Sequence, residues 1–148
     1  AIITRADIDA LASRVLEADV FALTDAVLNV SYQKGLHILG DLLDMREEPV
    51  AILAAIIKQV QRLYGARLAF EARKGERYVM ELLGYRSSYP AQLMLKAASD
   101  MELSFLRQAQ QWCLGSDVQL KSNLSDDKRT LELLLLRLSQ GRKGVALA

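Results

Sequence analysis

Proline occurs twice and glycine eight times in 148 residues, too few to punctuate the short alternating runs and tight turns of a β domain. Cys113 is the only cysteine and His37 the only histidine. An internal disulfide framework is thereby excluded, and so is a zinc site built from paired cysteines and histidines. A broad field of one sign is missing too: 19 basic residues face 18 acidic ones, for a formal charge of +1. Such a chain has no general pull on polyanions or on an anionic membrane surface. No stretch approaches the roughly 18 uninterrupted apolar residues of a membrane span. The start, AIITRADIDAL, lacks the basic-then-apolar order of a signal peptide. The phosphate-loop pattern G-x-x-x-x-G-K-[ST] is absent as well. These absences predict a cytoplasmic chain with no membrane contact and no nucleotide hydrolysis of its own. It begins without methionine and opens directly on a helix signal, so it is expected to be a piece of a longer protein.

What is present is apolar spacing at the helical period. Hydrophobic residues make up 51% of the chain and charged ones 25%, a composition that builds a packed core. A chain of this length typically buries about 68–70% of its unfolded surface in one domain. Thr4 and Asp7 form a T-x-x-D capping pattern ahead of Ile8, Leu11 and Val15, which predicts a first helix to about Leu16. Asp19 can cap a following segment with Val20, Leu23 and Val27 inward and Phe21 and Leu28 on its flank. A short spacer, Asn29 to Ser31, then leads to a helix carrying Leu36, Leu39, Leu42 and Leu43, so the two pack as an antiparallel hairpin.

The clearest start is REEPVAILAAIIKQVQRLYGARLAF. Glu47 and Glu48 complement the positive end of a helix, and Pro49 suits its first position because that backbone donor is unpaired anyway. Leu53, Ile56, Ile57, Val60, Leu63, Tyr64 and Leu68 mark a long central helix, with Lys58, Gln61, Arg62 and Arg67 assigned to its wet side. After the polar break EARKGER come a short helix at Tyr78 to Leu83 ended by Gly84, a helix starting at Ser87, Ser88 and Pro90 with Leu93, Leu95 and Ala97 inward, and one from Leu103 to Ser122 carrying Leu106, Cys113, Val118 and Leu120. The last begins near Ser125, with Asp126 and Asp127 in its first turn, and stops at Gly141. The expectation is an all-α bundle of about six to seven helices.

Few residues suggest chemistry. His37 has no ligand or catalytic partner at a useful spacing, so a surface or packing role is preferred. Cys113, beside Trp112 and Leu114, reads as a small buried hydrophobe rather than a nucleophile. Asp126 and Asp127 are what the dipole of a helix start favours, not a metal pair. Basic residues cluster only at ARKGER and at GRK, and neither cluster has the interleaved aromatics of a single-strand platform. No catalytic, cofactor-binding or metal-binding residue is therefore assigned. The unusual feature is apolar excess near the C-terminus. In LELLLLRL, Leu131, Leu134, Leu135 and Leu138 fill one face and leave Leu133 and Leu136 on a flank. On the preceding helix Phe105, Ala109 and Trp112 form a second stripe. Phe105, Trp112, Leu133 and Leu136 are the candidate interface with a partner protein.

EADVFALTDAVLN, then REEPVAILAAIIKQVQRLYGARL, then SDVQLKSNLSDDKRTLELLLLRL, in that order, resemble the C-terminal region of the delta subunit of the bacterial DNA polymerase III clamp loader. The resemblance runs from about residue 17 to residue 140 and includes the acidic-Pro helix start and a D-x-x-L-K before the leucine-rich end. GERYVMELLGYRSSYPAQ follows the pattern less closely. It implies a clamp-loader collar domain at residues 17–141, which joins subunits into a five-membered ring, preceded at 1–16 by the end of a lid domain or a linker and followed at 142–148 by a flexible tail. It also implies a non-catalytic role within the DNA polymerase III holoenzyme, with the gamma/tau and delta-prime subunits as partners and no cofactor. The sliding clamp would be met through an N-terminal domain outside this chain, and DNA only indirectly. The competing reading is a helical nucleic-acid-binding module using Arg73, Lys74, Arg142 and Lys143.

Overall fold

The computed structural model describes residues 2–122 and 126–144. Among them it contains seven helices and no strand: α1 (Arg5–Asn29), α2 (Tyr32–Asp44), α3 (Pro49–Glu71), α4 (Glu76–Leu83), α5 (Ser88–Ser99), α6 (Leu103–Leu120) and α7 (Asp127–Arg142). The all-α expectation holds. Ser125 and the end of the tail, residues 145–148, lie outside the described residues.

The capping box is formed as the sequence implies. The Thr4 hydroxyl accepts from the Asp7 backbone N–H at 3.2 Å, and the Asp7 carboxylate accepts from the Thr4 N–H at 3.0 Å. The Thr4 N–H first, and then the Thr4 hydroxyl beside the carboxylate, hold the Asp7 carboxyl below its ordinary range. The two helices expected around a break near Leu16 are one helix of 25 residues. Nothing between Leu16 and Asp19 breaks a helix, and Asp19, a possible cap when read locally, sits in the interior of a run whose backbone bonds are already made. Ser31 caps α2 by accepting from the Lys34 N–H at 3.1 Å, and α1 and α2 pack together across that short connection. Their approach is close at Gly35: a Cβ there would stand 2.2 Å from Val27 Cγ2.

Pro49 occupies the first turn of α3 as expected. This helix is the axis of the bundle and packs against α1, α4, α5, α6 and α7. Its first half, with Ile52, Leu53, Ile56 and Val60, enters a core cluster shared with α1, α2, α6 and α7. Its second half, with Leu63, Ala66 and Ala69, enters another built with Val79 of α4, Met94 of α5 and Leu106 of α6. Leu68, expected inside, is exposed, whereas Arg62 and Arg67, expected on the wet side, are partly buried. The buried small residues Ala66 and Ala69 explain this shift, because α5 sits close enough on that side to displace larger side chains to the flank.

On α5 the inward set is Ala91, Met94 and Ala98, with Leu93 exposed and Leu95 and Ala97 partly buried. The phase expected for this helix is thus off by one position. Val118 of α6 is likewise corrected from core to surface at 70% exposure. On α7, Leu131, Leu134, Leu135 and Leu138 are all buried, as the period requires. Ile8, Leu11 and Val15 do recur along one side of α1, yet each is more than half exposed, because the start of that helix lies against nothing else in the described chain. No helix among the described residues is long and apolar enough to cross a membrane.

Candidate functional site

The surface formed by α6 and α7 begins with Gly141, which is not the stop of α7 but part of its last turn. A Cβ at Gly141 would lie 2.7 Å from Trp112 Cη2, 2.9 Å from Trp112 Cζ3 and 3.1 Å from Phe105 Cε1. Glycine is required there because two aromatic rings of α6 rest on the backbone of α7. Phe105 and Trp112 are consequently partly buried and packed onto the core rather than standing free. Leu133 is 37% exposed on the outer side of α7, and Leu136 is partly buried. The four sequence-selected residues therefore occupy one pair of packed helices at graded depth. Sequence reasoning passes over Leu114, which with Val118 forms an exposed i, i+4 apolar pair on the outer face of α6. The spacing is legible, but assigning Val118 to the core turns α6 the wrong way and hides the pair.

Asp126 caps α7, its carboxylate accepting from the Lys128 and Arg129 N–H groups at 3.0 and 3.3 Å. That accounts for the acidic pair without a metal. Among the described residues no group of three or more His, Cys, Asp and Glu side chains is placed to hold an ion. His37 is largely exposed on α2, 3.8 Å from Asp41. Cys113 is 2% exposed, and burial alone pushes its thiol from 9.0 up to about 12. A thiol so strongly protonated is a packing group.

Two guanidiniums from distant parts of the sequence meet at one end of the bundle. Arg67 of α3 donates to the carbonyl of Ser99 at 2.7 Å, and Arg142 of α7 donates to that of Asp100 at 3.3 Å. They thus satisfy consecutive carbonyls at the C-terminal end of α5. Arg67 also pairs with Glu71 at 2.5 Å, and the Lys74 ammonium stands 5.6 Å from the centre of the Tyr78 ring. Much of this positive charge is committed within the molecule, and Glu71, Asp100 and Glu102 stand among it.

Between α1 and α3, Glu17 receives Lys58 at 2.6 Å and Arg62 at 3.7 Å. The Arg62 guanidinium lies 5.0 Å from the centre of the Tyr85 ring. Gln59, to which periodicity assigns no role, is buried on α3 at 5% exposure, and its Oε1 has no hydrogen-bond partner.

A family model described as the DNA polymerase III delta subunit, C-terminal domain, matches residues 17–138. The DNA polymerase III subunit delta of Bacillus subtilis (strain 168) is 28% identical over 136 residues, which are 92% of this chain and 39% of that protein. The solved structure of the Bacillus subtilis DNA clamp loader delta protein superimposes with a TM-score of 0.78 at 28% identity, over 93% of this chain and 40% of the other. The chain spans about two fifths of the length of these relatives.

Proposed function

Because the chain belongs to the family of C-terminal domains of DNA polymerase III delta subunits, we propose that it is a non-catalytic assembly domain, a collar element holding its parent protein in the clamp-loader ring while a sliding clamp is loaded in the cytoplasm. In this reading residues 17–141 form the assembly domain, residues 1–16 run in from a preceding lid domain, and residues 142–148 are a tail. The exposed apolar row Ile8, Leu11 and Val15 supports that division, since nothing in the described chain covers it. The partners are the gamma/tau and delta-prime subunits. The clamp itself is met through a region outside this chain, and DNA indirectly.

The observation that carries the reading is apolar surface on a bundle whose core is already filled. Leu133 on α7 and the pair Leu114 and Val118 on α6 face outward, although Leu131, Leu134, Leu135 and Leu138 complete the inner face. Apolar positions surplus to a core mark surfaces that another protein covers. Phe105, Trp112, Leu133 and Leu136 are proposed as the contact, with the two aromatic residues supporting the surface from beneath.

The test is association. The full-length protein, mixed with the other loader subunits, is expected to elute as one complex on size exclusion. Leu133→Glu should weaken that complex tenfold or more with helicity unchanged. Trp112→Glu should in addition lower thermal stability, because its ring lies on Gly141. A well-folded protein that never enters the complex would remove the proposal. The nucleic-acid alternative, which uses Arg73, Lys74, Arg142 and Lys143, is less favoured because two of the four, Lys74 and Arg142, are engaged internally. It requires an affinity for primed DNA that falls steeply with salt.

A further inference from the structure

Between them, the helices α1, α3 and α5 leave two adjoining hollows that share Phe21, Gln59 and Met94 as their common wall. The narrower is a crevice of about 20 Å³, room for about one water, and the wider is an open hollow of about 310 Å³, enough to take an inserted side chain. The narrower one is lined by Leu63 and Met101, and methionine lining adapts readily to the shape of an incoming group. Leu93 and Tyr89 stand exposed at the wider one.

Into this apolar groove is set one polar group without a partner, the Oε1 of Gln59. A buried amide oxygen left unbonded is destabilising, so a chain that keeps glutamine there is suited to a donor arriving from outside. The rim is positive. Arg14 has no ion-pair partner among the described residues, and Arg62 shares its one carboxylate, Glu17, with Lys58.

We infer that this groove receives a segment of a neighbouring protein of the loader that inserts an aromatic side chain bearing an N–H or O–H donor, tryptophan or tyrosine, with a carboxylate beside it. The ring lies in the wider hollow against Leu93 and Met94, its donor bonds Gln59 Oε1, and the carboxylate pairs with Arg14. The inference rests on the assembly role proposed above, and its contact surface is distinct from the α6 and α7 face.

The experiment uses the full-length protein and the purified other loader subunits, with the dissociation constant measured by sedimentation at two salt concentrations. Gln59→Leu removes the unpaired oxygen, so the free protein should melt at the same or a higher temperature while the complex weakens at least tenfold. Leu93→Glu, at an exposed position, should weaken it similarly without affecting the fold. Arg14→Glu should weaken it several-fold, and more at low salt than at high. If the wild type associates and Gln59→Leu and Leu93→Glu associate equally well, the groove is not a docking site and the assembly role stands. If the wild type itself does not associate, both the assembly role and this inference are overturned.

Discussion

Gln59 and Cys113 show how differently one bundle treats its few polar or reactive side chains. Cys113 sits among Leu and Ala positions of the first core cluster, where its weak donor asks for little. Its thiol stays protonated to about pH 12 in the folded chain, whereas the unfolded chain releases that proton near 9.0. The unfolded state therefore binds fewer protons between those values, and stability falls as pH rises through that window while remaining level below it. Tyr32 and Tyr85, also pushed up mainly by burial, act in the same direction. The unfolding free energy from urea titration is expected to be lower at pH 10 than at pH 8, by about 1 kcal/mol for the thiol. The native thiol should also resist a maleimide that labels it fully in denaturant. Rapid labelling of the folded protein would contradict the burial assigned to this residue.

At the scale of elements, two glycines set how closely helices approach. Gly35 lets α2 lie against Val27 of α1, and Gly141 lets α7 lie under Trp112 and Phe105 of α6. Val27 is β-branched and stiff, so it cannot swing aside for a new methyl group. Gly35→Ala is accordingly expected to destabilise by about 1–3 kcal/mol through overpacking, despite the better helix propensity of alanine. Thermal melts of the two proteins measure it, and an unchanged or raised melting temperature would show that the hairpin can open at no cost. Helix ends hold a related lesson. The polar break after α3 turns at Arg73, whose φ is 58°, and not at the glycine two residues on. The break is legible from composition, but its pivot is not, because a side chain in the left-handed region leaves no mark in the sequence.

For the whole molecule, α3 and α6 both reach into the two core clusters, α3 with one half in each. A helix cannot be half folded at little cost when both halves carry buried Leu, Ile and Ala, so the two clusters should unfold together. Trp112, the only tryptophan, packs against the first cluster, whereas Met94 lies in the second. Met94→Ala is expected to lower stability by about 2–5 kcal/mol, and the loss should be visible in the fluorescence of Trp112. A Trp112 transition that does not move while helicity is lost earlier would mean two independently folding halves. The same layout leaves the α6 and α7 face apart from the α1, α3 and α5 groove, which runs on to the exposed start of α1 at Arg14, an arrangement that suits a component held between neighbours.

Local chemistry and periodicity alone determined the all-helical class, the cap at Thr4, the Pro49 start and the four buried leucines of α7. Each depends on residues a few positions apart, where spacing along the chain sets spacing in space. Tertiary packing decided what spacing leaves open: that α1 runs unbroken, which side of α5 turns inward, that Val118 faces solvent, and that Arg67 and Arg142 meet at the end of α5. It also decided that Gln59 is buried without a partner. These outcomes depend on how near another helix comes, and that distance is set by small residues such as Ala66, Ala98 and Gly141, whose importance appears only once their neighbours are in place.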